Sequence, residues 1–294
     1  MAFSTPQEAQ RKVFVTVLGA DGNPLEDLQP EHFAVRESGK DRLILSVEPL
    51  AIPMHVAVLV DTSSVNGAPD ERLRAAVLEF LDRLVASNHV ALYSFGDRAA
   101  AVVPFTQDAV KLRAAATTMF GWSNQRSNLL DAVDLALRDL RPLESRRPVI
   151  VAITSEGLEV SSRTAGAVIK RLIDQSTAFH AVSLGGGTAG TATRVSSDVP
   201  SSSQRMRGII GSAEGDRERD QLLQQGTSAT GGGRQRITSV MALRPALMRM
   251  FLELSKSYLV TFARPGSDRV KDLQVGIMLE GVTLRATGAP FTTR

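Results

Sequence analysis

The sequence predicts an α/β fold, a doubly wound and mostly parallel sheet carried between two short β segments. Three observations lead there. Nearly continuous apolar runs, HVAVLV at 55–60 and VIVAIT at 149–154, are the pattern of strands covered on both faces, and 179–184 is again strand-like. Stripes at three-four spacing fall between them, the mark of helices with one buried side. The two ends of the chain are β-rich and short of helix.

In order, residues 13–18 (VFVTVL) form a strand that reaches a turn signal at Asp21-Gly22-Asn23-Pro24. Strand-like pieces at 32–36 and 43–47 complete an opening too small to bury a core alone. The pattern changes at Pro53. Strand 55–60 is followed by a helix opening at Pro69-Asp70, with Leu73, Ala76, Val77, Phe80, Leu81, Leu84 and Val85 on one stripe. Strands at 90–95 and 101–105, a weaker helix at 107–117 and a clear one through Leu129, Val133, Ala136 and Leu140 come next. Strand 149–154, a helix through Val168, Ile169 and Leu172, and strand 179–184 continue the alternation that predicts a parallel sheet with helices on both sides.

Residues 185–215 turn to Gly, Ser and Thr and are expected to be a flexible insertion. A short helix near 217–225, a turn at Gly231-Gly232-Gly233, a strand at 235–238 and a helix at 243–255 follow. The tail returns to strands (YLVTF, DLQVGIML, VTLRAT). Because neither β end stands alone, the expected organisation is a small β-sandwich built from 10–52 and 257–292, with the α/β domain, 53–256, inserted between its parts.

Composition narrows the function. Hydrophobic residues make up 43% and charged residues 22%, an ordinary globular balance. The net charge is +3, the arginines are scattered and aromatics are only 5%, so no nucleic-acid surface is expected. The chain has no cysteine, which excludes disulfides and thiolate metal sites. No apolar run is long enough to span a bilayer, and the opening MAFSTPQEAQRKVFVTV lacks the apolar core of a signal peptide. The four histidines show no metal spacing, and there is no Gly-x-Ser-x-Gly elbow or His-Glu-x-x-His. An enzyme is not expected.

In open α/β sheets, ligands bind at the carboxyl ends of the strands. Asp61, in VLVDTSSV, stands at such an end with Ser63 beside it. Ser127 opens a later helix after Trp122 and Asn124, and Thr154-Ser155-Glu156-Gly157 follows another strand. Carboxylates and hydroxyls gathered on one rim are hard oxygen donors, suited to Mg²⁺, Mn²⁺ or Ca²⁺. Trp122, on a loop at this rim, is a candidate contact residue.

These residues resemble the von Willebrand factor type A domain, whose metal-ion-dependent adhesion site begins with Asp-x-Ser-x-Ser. Here Asp61 and Ser63 match and Val65 stands in the last position. Ser127-Asn128-Leu129-Leu130-Asp131-Ala132 resembles the family's second loop, with serine for threonine. The third-loop aspartate is replaced by either Ser155 or Glu156. The first β segment (DGNPLEDLQPEHFAVRESGK) and the closing strands are similar to an acidobacterial-type subgroup of bacterial proteins with this domain. The resemblance implies a non-enzymatic adhesion or protein-binding module. Its degenerate metal site, Asp61, Ser63, Ser127 and Glu156, would engage an acidic side chain of a protein partner through a divalent cation. It also implies a secreted or periplasmic protein. The alternative is a metal-free assembly scaffold of the bacterial envelope.

Overall fold

Four strands come first: β1 (Ala9–Leu18), β2 (Phe33–Glu37), β3 (Lys40–Arg42) and β4 (Ile44–Pro49). The computed structural model describes residues 9–63, 71–96, 98–120, 126–155, 158–185, 213–264 and 273–288. After β4 the expected alternation appears as β5 (His55–Val60), α1 (Glu71–Val85), β6 (His89–Ser94), β7 (Ala100–Thr106), α2 (Ala109–Thr118), β8 (Arg126–Ser127) and α3 (Leu129–Leu140). It continues through β9 (Pro148–Ser155), β10 (Leu158–Glu159), α4 (Ala165–Asp174) and β11 (Ala178–Leu184). Helix α5 (213–221) runs into a π-helical turn, Leu222–Gly226, before β12 (Arg234–Ile237) and α6 (Leu243–Ser255). The chain closes on β13 (Tyr258–Arg264), β14 (Leu273–Ile277) and β15 (Thr283–Gly288). Residues 186–212 of the expected insertion, and the expected helix start at Pro69-Asp70, lie outside the described residues.

Two compact units divide the chain: Pro53–Met248, and Met1–Ile52 with Arg249–Arg294. In the first, one sheet runs β12-β11-β9-β5-β6-β7. All neighbours are parallel except β6 and β7. The reason is the connection: only residues 95–99 separate β6 from β7, and a parallel return needs a crossover of a dozen residues or more. Both faces of the sheet are covered. Ala57, Leu59, Ala91, Tyr93, Ile150, Ala152, Phe179 and Ala181 share a core with α3 and α4, while the alternate residues Val56, Val58, Val60, Leu92 and Val151 are fully buried as well. The α1 stripe read from the sequence is the buried one: Ala76, Val77, Phe80, Leu81, Leu84 and Val85.

At the amino ends of the strands, His55 and His89 are register partners whose rings stack 4.8 Å apart. Burial, reinforced by His89, holds His55 below the usual imidazole range, and its Nδ1 lies 2.9 Å from Ser145 Oγ. These histidines pack; they do not gather into a metal cluster.

The second unit contains two antiparallel sheets, β15-β1-β13-β4 and β14-β2-β3. Val13, Val15 and Val17 of β1, Phe33 and Val35 of β2, and Tyr258, Val260 and Phe262 of β13 share one hydrophobic cluster. The β2–β3 hairpin turns on Ser38 and Gly39, both at positive φ (51° and 77°), the conformation of a tight two-residue hairpin loop.

Candidate functional site

Strand β5 ends in the middle of the parallel sheet, and its ladder continues one residue further, Asp61 N–H donating to Ile153 O at 2.8 Å. This fixes the Asp61 side chain beside the end of β9. The residue is buried, with 4% exposure. Its Oδ1 accepts from Ser63 N–H (2.9 Å) and Ser63 Oγ (2.6 Å). Its Oδ2 accepts from Ser155 N–H (3.0 Å), Ser155 Oγ (2.7 Å) and, at 3.5 Å, Thr154 Oγ1. Burial pushes the carboxyl above the usual carboxylate range, and the donors from Ser63 and Ser155 pull the other way.

The Asp61 loop is seated against the end of β6 by Gly96. A Cβ there would stand 2.6 Å from Thr62 Oγ1 and 3.1 Å from Ser63 N, so only glycine lets the two loops approach this closely.

Ser127 is fully buried, and its hydroxyl is committed elsewhere, donating to Glu159 Oε2 at 3.3 Å. Glu159 (2% exposed) also accepts from Leu129 N–H through Oε2 (3.3 Å) and from Ser161 N–H through Oε1 (3.1 Å). The sequence places Ser127 at the opening of a helix, where a short hydroxyl side chain ordinarily caps the first N–H groups. In the structure a carboxylate from β10 takes that place, and Asn128 at the helix start makes no side-chain cap bond. The two short strands pair in parallel with Glu159 opposite Ser127. Burial raises the Glu159 carboxyl, opposed by its hydrogen bonds to Ser161 and Leu129 and by the positive charge of Arg219. Asp131 ties the same segment down, accepting from Ser162 N–H (3.0 Å) and Ser162 Oγ (3.1 Å).

Two hydrogen-bonded nodes result. One joins Asp61, Ser63, Thr154 and Ser155; the other joins Ser127, Glu159 and the start of α3. Of the predicted site residues, Ser63 meets Asp61 directly and Ser127 meets Glu159, while Glu156, Trp122, Asn124 and Val65 lie outside the described residues. Glu159 was not anticipated. Its neighbours Leu158 and Val160 are apolar, an alternation that reads as a strand with the glutamate outward, yet they are 39% and 41% exposed while Glu159 is buried.

Among the described residues there is no group of three His, Cys, Asp or Glu side chains that could hold a metal ion. Among the described residues, the Asp61 node offers one formal negative charge and the neutral hydroxyls of Ser63, Thr154 and Ser155. Mg²⁺ held by protein draws on one or two carboxylates and completes its shell with water, so this donor set is at the weak end of the range.

The family model of the von Willebrand factor type A domain matches residues 56–158. No curated protein matches the chain. Among solved structures, proximal thread matrix protein 1 from the mussel byssus aligns at 12% identity and a TM-score of 0.49, over 74% of this chain and 50% of that one. A second structure of that protein, with a zinc-occupied MIDAS motif, aligns at 13% identity and a TM-score of 0.47, over 72% and 49%. The conserved hypothetical protein BatB from Bacteroides thetaiotaomicron aligns at 16% identity and a TM-score of 0.47, over 69% of this chain and all of that one. The matched stretch, residues 56–158, runs from the strand that delivers Asp61 to the start of β10.

Proposed function

We propose that the protein is a non-enzymatic protein-binding module whose contact surface is the rim around Asp61, and that this rim keeps its shape through hydrogen bonds without a resident cation. One observation carries the reading. Both oxygens of the buried Asp61 carboxylate take donors from Ser63 and Ser155 on the loops that flank it. Such a node is satisfied from within. The exposed Leu158 and Val160 beside the second node supply apolar contact area for a protein partner. The hydroxyls of Ser63 and Ser155 are engaged as donors to a buried carboxylate, a structural role rather than that of an activated nucleophile.

A second reading is favoured by the approach of Ser63 Oγ to Ser155 Oγ, 3.3 Å apart on the same carboxylate. Two neutral oxygens and Asp61 would hold Mg²⁺, Mn²⁺ or Ca²⁺ once a partner's acidic side chain added the missing charge. The domain division, with an α/β domain inserted between the halves of a β-sandwich, and the secreted or periplasmic location in a bacterium that the resemblance implies belong to the same proposal.

The test is site-specific photo-crosslinking in the source cells. A crosslinker at position 63 or 158 is expected to trap a discrete protein adduct. One at position 145, at the opposite ends of the strands, is expected to trap none. Adducts from 145 alone, or equally from all three, would remove the rim from the account and leave the scaffold reading.

A further inference from the structure

In the β unit, three arginines from three strands meet around one carboxylate from a fourth. Glu37 of β2 is 1% exposed. Arg42 Nη2 of β3 lies 3.1 Å from its Oε2, Arg264 Nε of β13 lies 3.2 Å from the same oxygen, and Arg11 Nη1 of β1 lies 3.7 Å from Oε1. One carboxylate balances one guanidinium, which leaves two formal positive charges in excess. The Arg42 and Arg264 side chains are only 14% and 11% exposed, so water does little to offset that excess.

The hydrogen bonding is incomplete too. Neither Glu37 oxygen has an aligned donor, and Arg42 Nε is buried without a partner. The guanidiniums crowd the carboxylate without spending their N–H groups on it. Burial and the neighbouring Arg264 charge lower the basicity of Arg11. Access exists on two sides: Arg11 is about a third exposed, and Arg42 lines an open groove of about 780 Å³.

We propose that Arg11, Arg42 and Arg264 form a binding site for a phosphate-type dianion, with Glu37 holding the three guanidiniums in place. A dianion matches the excess charge. Its several acceptor oxygens suit the planar, fixed donors of arginine, which bind such groups in pairs of hydrogen bonds. The nearby Arg36–Asp41 pair on the same sheet is a neutral contrast, one cation on one anion at 2.9 Å.

Titration calorimetry of the full chain, at fixed ionic strength set with sodium chloride, tests this with inorganic phosphate in one arm and glycerol phosphate in the other. Saturable binding of both assigns the site to phosphate carried on a larger molecule. Binding of inorganic phosphate alone assigns it to the free anion. Arg11→Gln, which alters the most exposed of the three arginines, is expected to weaken binding about tenfold, the loss of one charge-assisted contact, and Arg36→Gln to leave it unchanged. No saturable heat from either anion in the parent protein overturns the proposal whatever the variants do. Equal affinity in Arg11→Gln overturns it as well, showing an adventitious ion only.

Discussion

Asp61→Ala is expected to destabilise the α/β unit by about 3 kcal/mol, the scale on which removal of a buried hydrogen-bonded charge is felt. The substitution deletes the acceptor of two backbone N–H groups and two hydroxyls contributed by Ser63 and Ser155. Those donors sit in partly buried loops and would have to turn to water, opening the rim. Asp61→Asn keeps the shape and one carbonyl oxygen and is expected to lose roughly half as much, since the amide NH₂ then faces donors instead of accepting from them. Urea unfolding, comparing midpoints at a common slope, measures both. An Asp61→Ala protein as stable as the parent would mean that the rim is not held together by this carboxylate.

Gly232→Ala is expected to cost a similar amount, about 3 kcal/mol, at the upper end of overpacking penalties. A Cβ at Gly232 would lie 1.9 Å from Phe179 O and 2.6 Å from Phe179 C, and these are backbone atoms that no rotamer change can move. Gly232 N–H donates to Thr227 O, and Gly233 N–H to His180 Nδ1. The loop that delivers β12 to β11 is therefore pinned on both sides of the clash, and the edge strand must shift to relieve it. Gly166→Ala in α4 is the internal control. Nothing lies within 4 Å of its added methyl, so the helix should gain about 0.5 kcal/mol. Thermal unfolding of the two variants side by side should move in opposite directions. If Gly232→Ala is neutral, the close approach of this loop to Phe179 is not a constraint on the fold.

The central strands were legible because little that is polar interrupts them: a run such as HVAVLV has no solvent face to present, and β5, β9 and β11 sit inside the sheet with both faces covered. What the sequence does not reveal is direction and very short pairing. The β7 residues look like any strand, and only the shortness of the link from β6 turns them antiparallel. The two-residue strands β8 and β10 carry no periodicity at all, yet they place Glu159 opposite Ser127.

At the rim, the position of Asp61 at the end of a buried run marked it, and the neighbouring hydroxyls were visible as residue types. Which hydroxyl served which carboxylate was not, because that depends on a register between strands some thirty to ninety residues apart. The arginine cluster at Glu37 is the extreme case. Its members at positions 11, 37, 42 and 264 come together only when the first strand pairs with one near the other end of the chain, β1 and β13 in register from Ala9↔Arg264 to Val15↔Tyr258.

The central claim is that the Asp61 rim is complete without a cation. Its most direct test is the unfolding free energy of the full chain in millimolar Mg²⁺, Mn²⁺ or Ca²⁺ against EDTA, with Asp61→Asn measured in parallel. The parent protein is expected to show the same stability in every condition. A ligand that binds only the folded state would add about 2.7 kcal/mol at a hundredfold excess over its dissociation constant. A gain of that size in the parent, absent from Asp61→Asn, would contradict the account and establish a resident metal site.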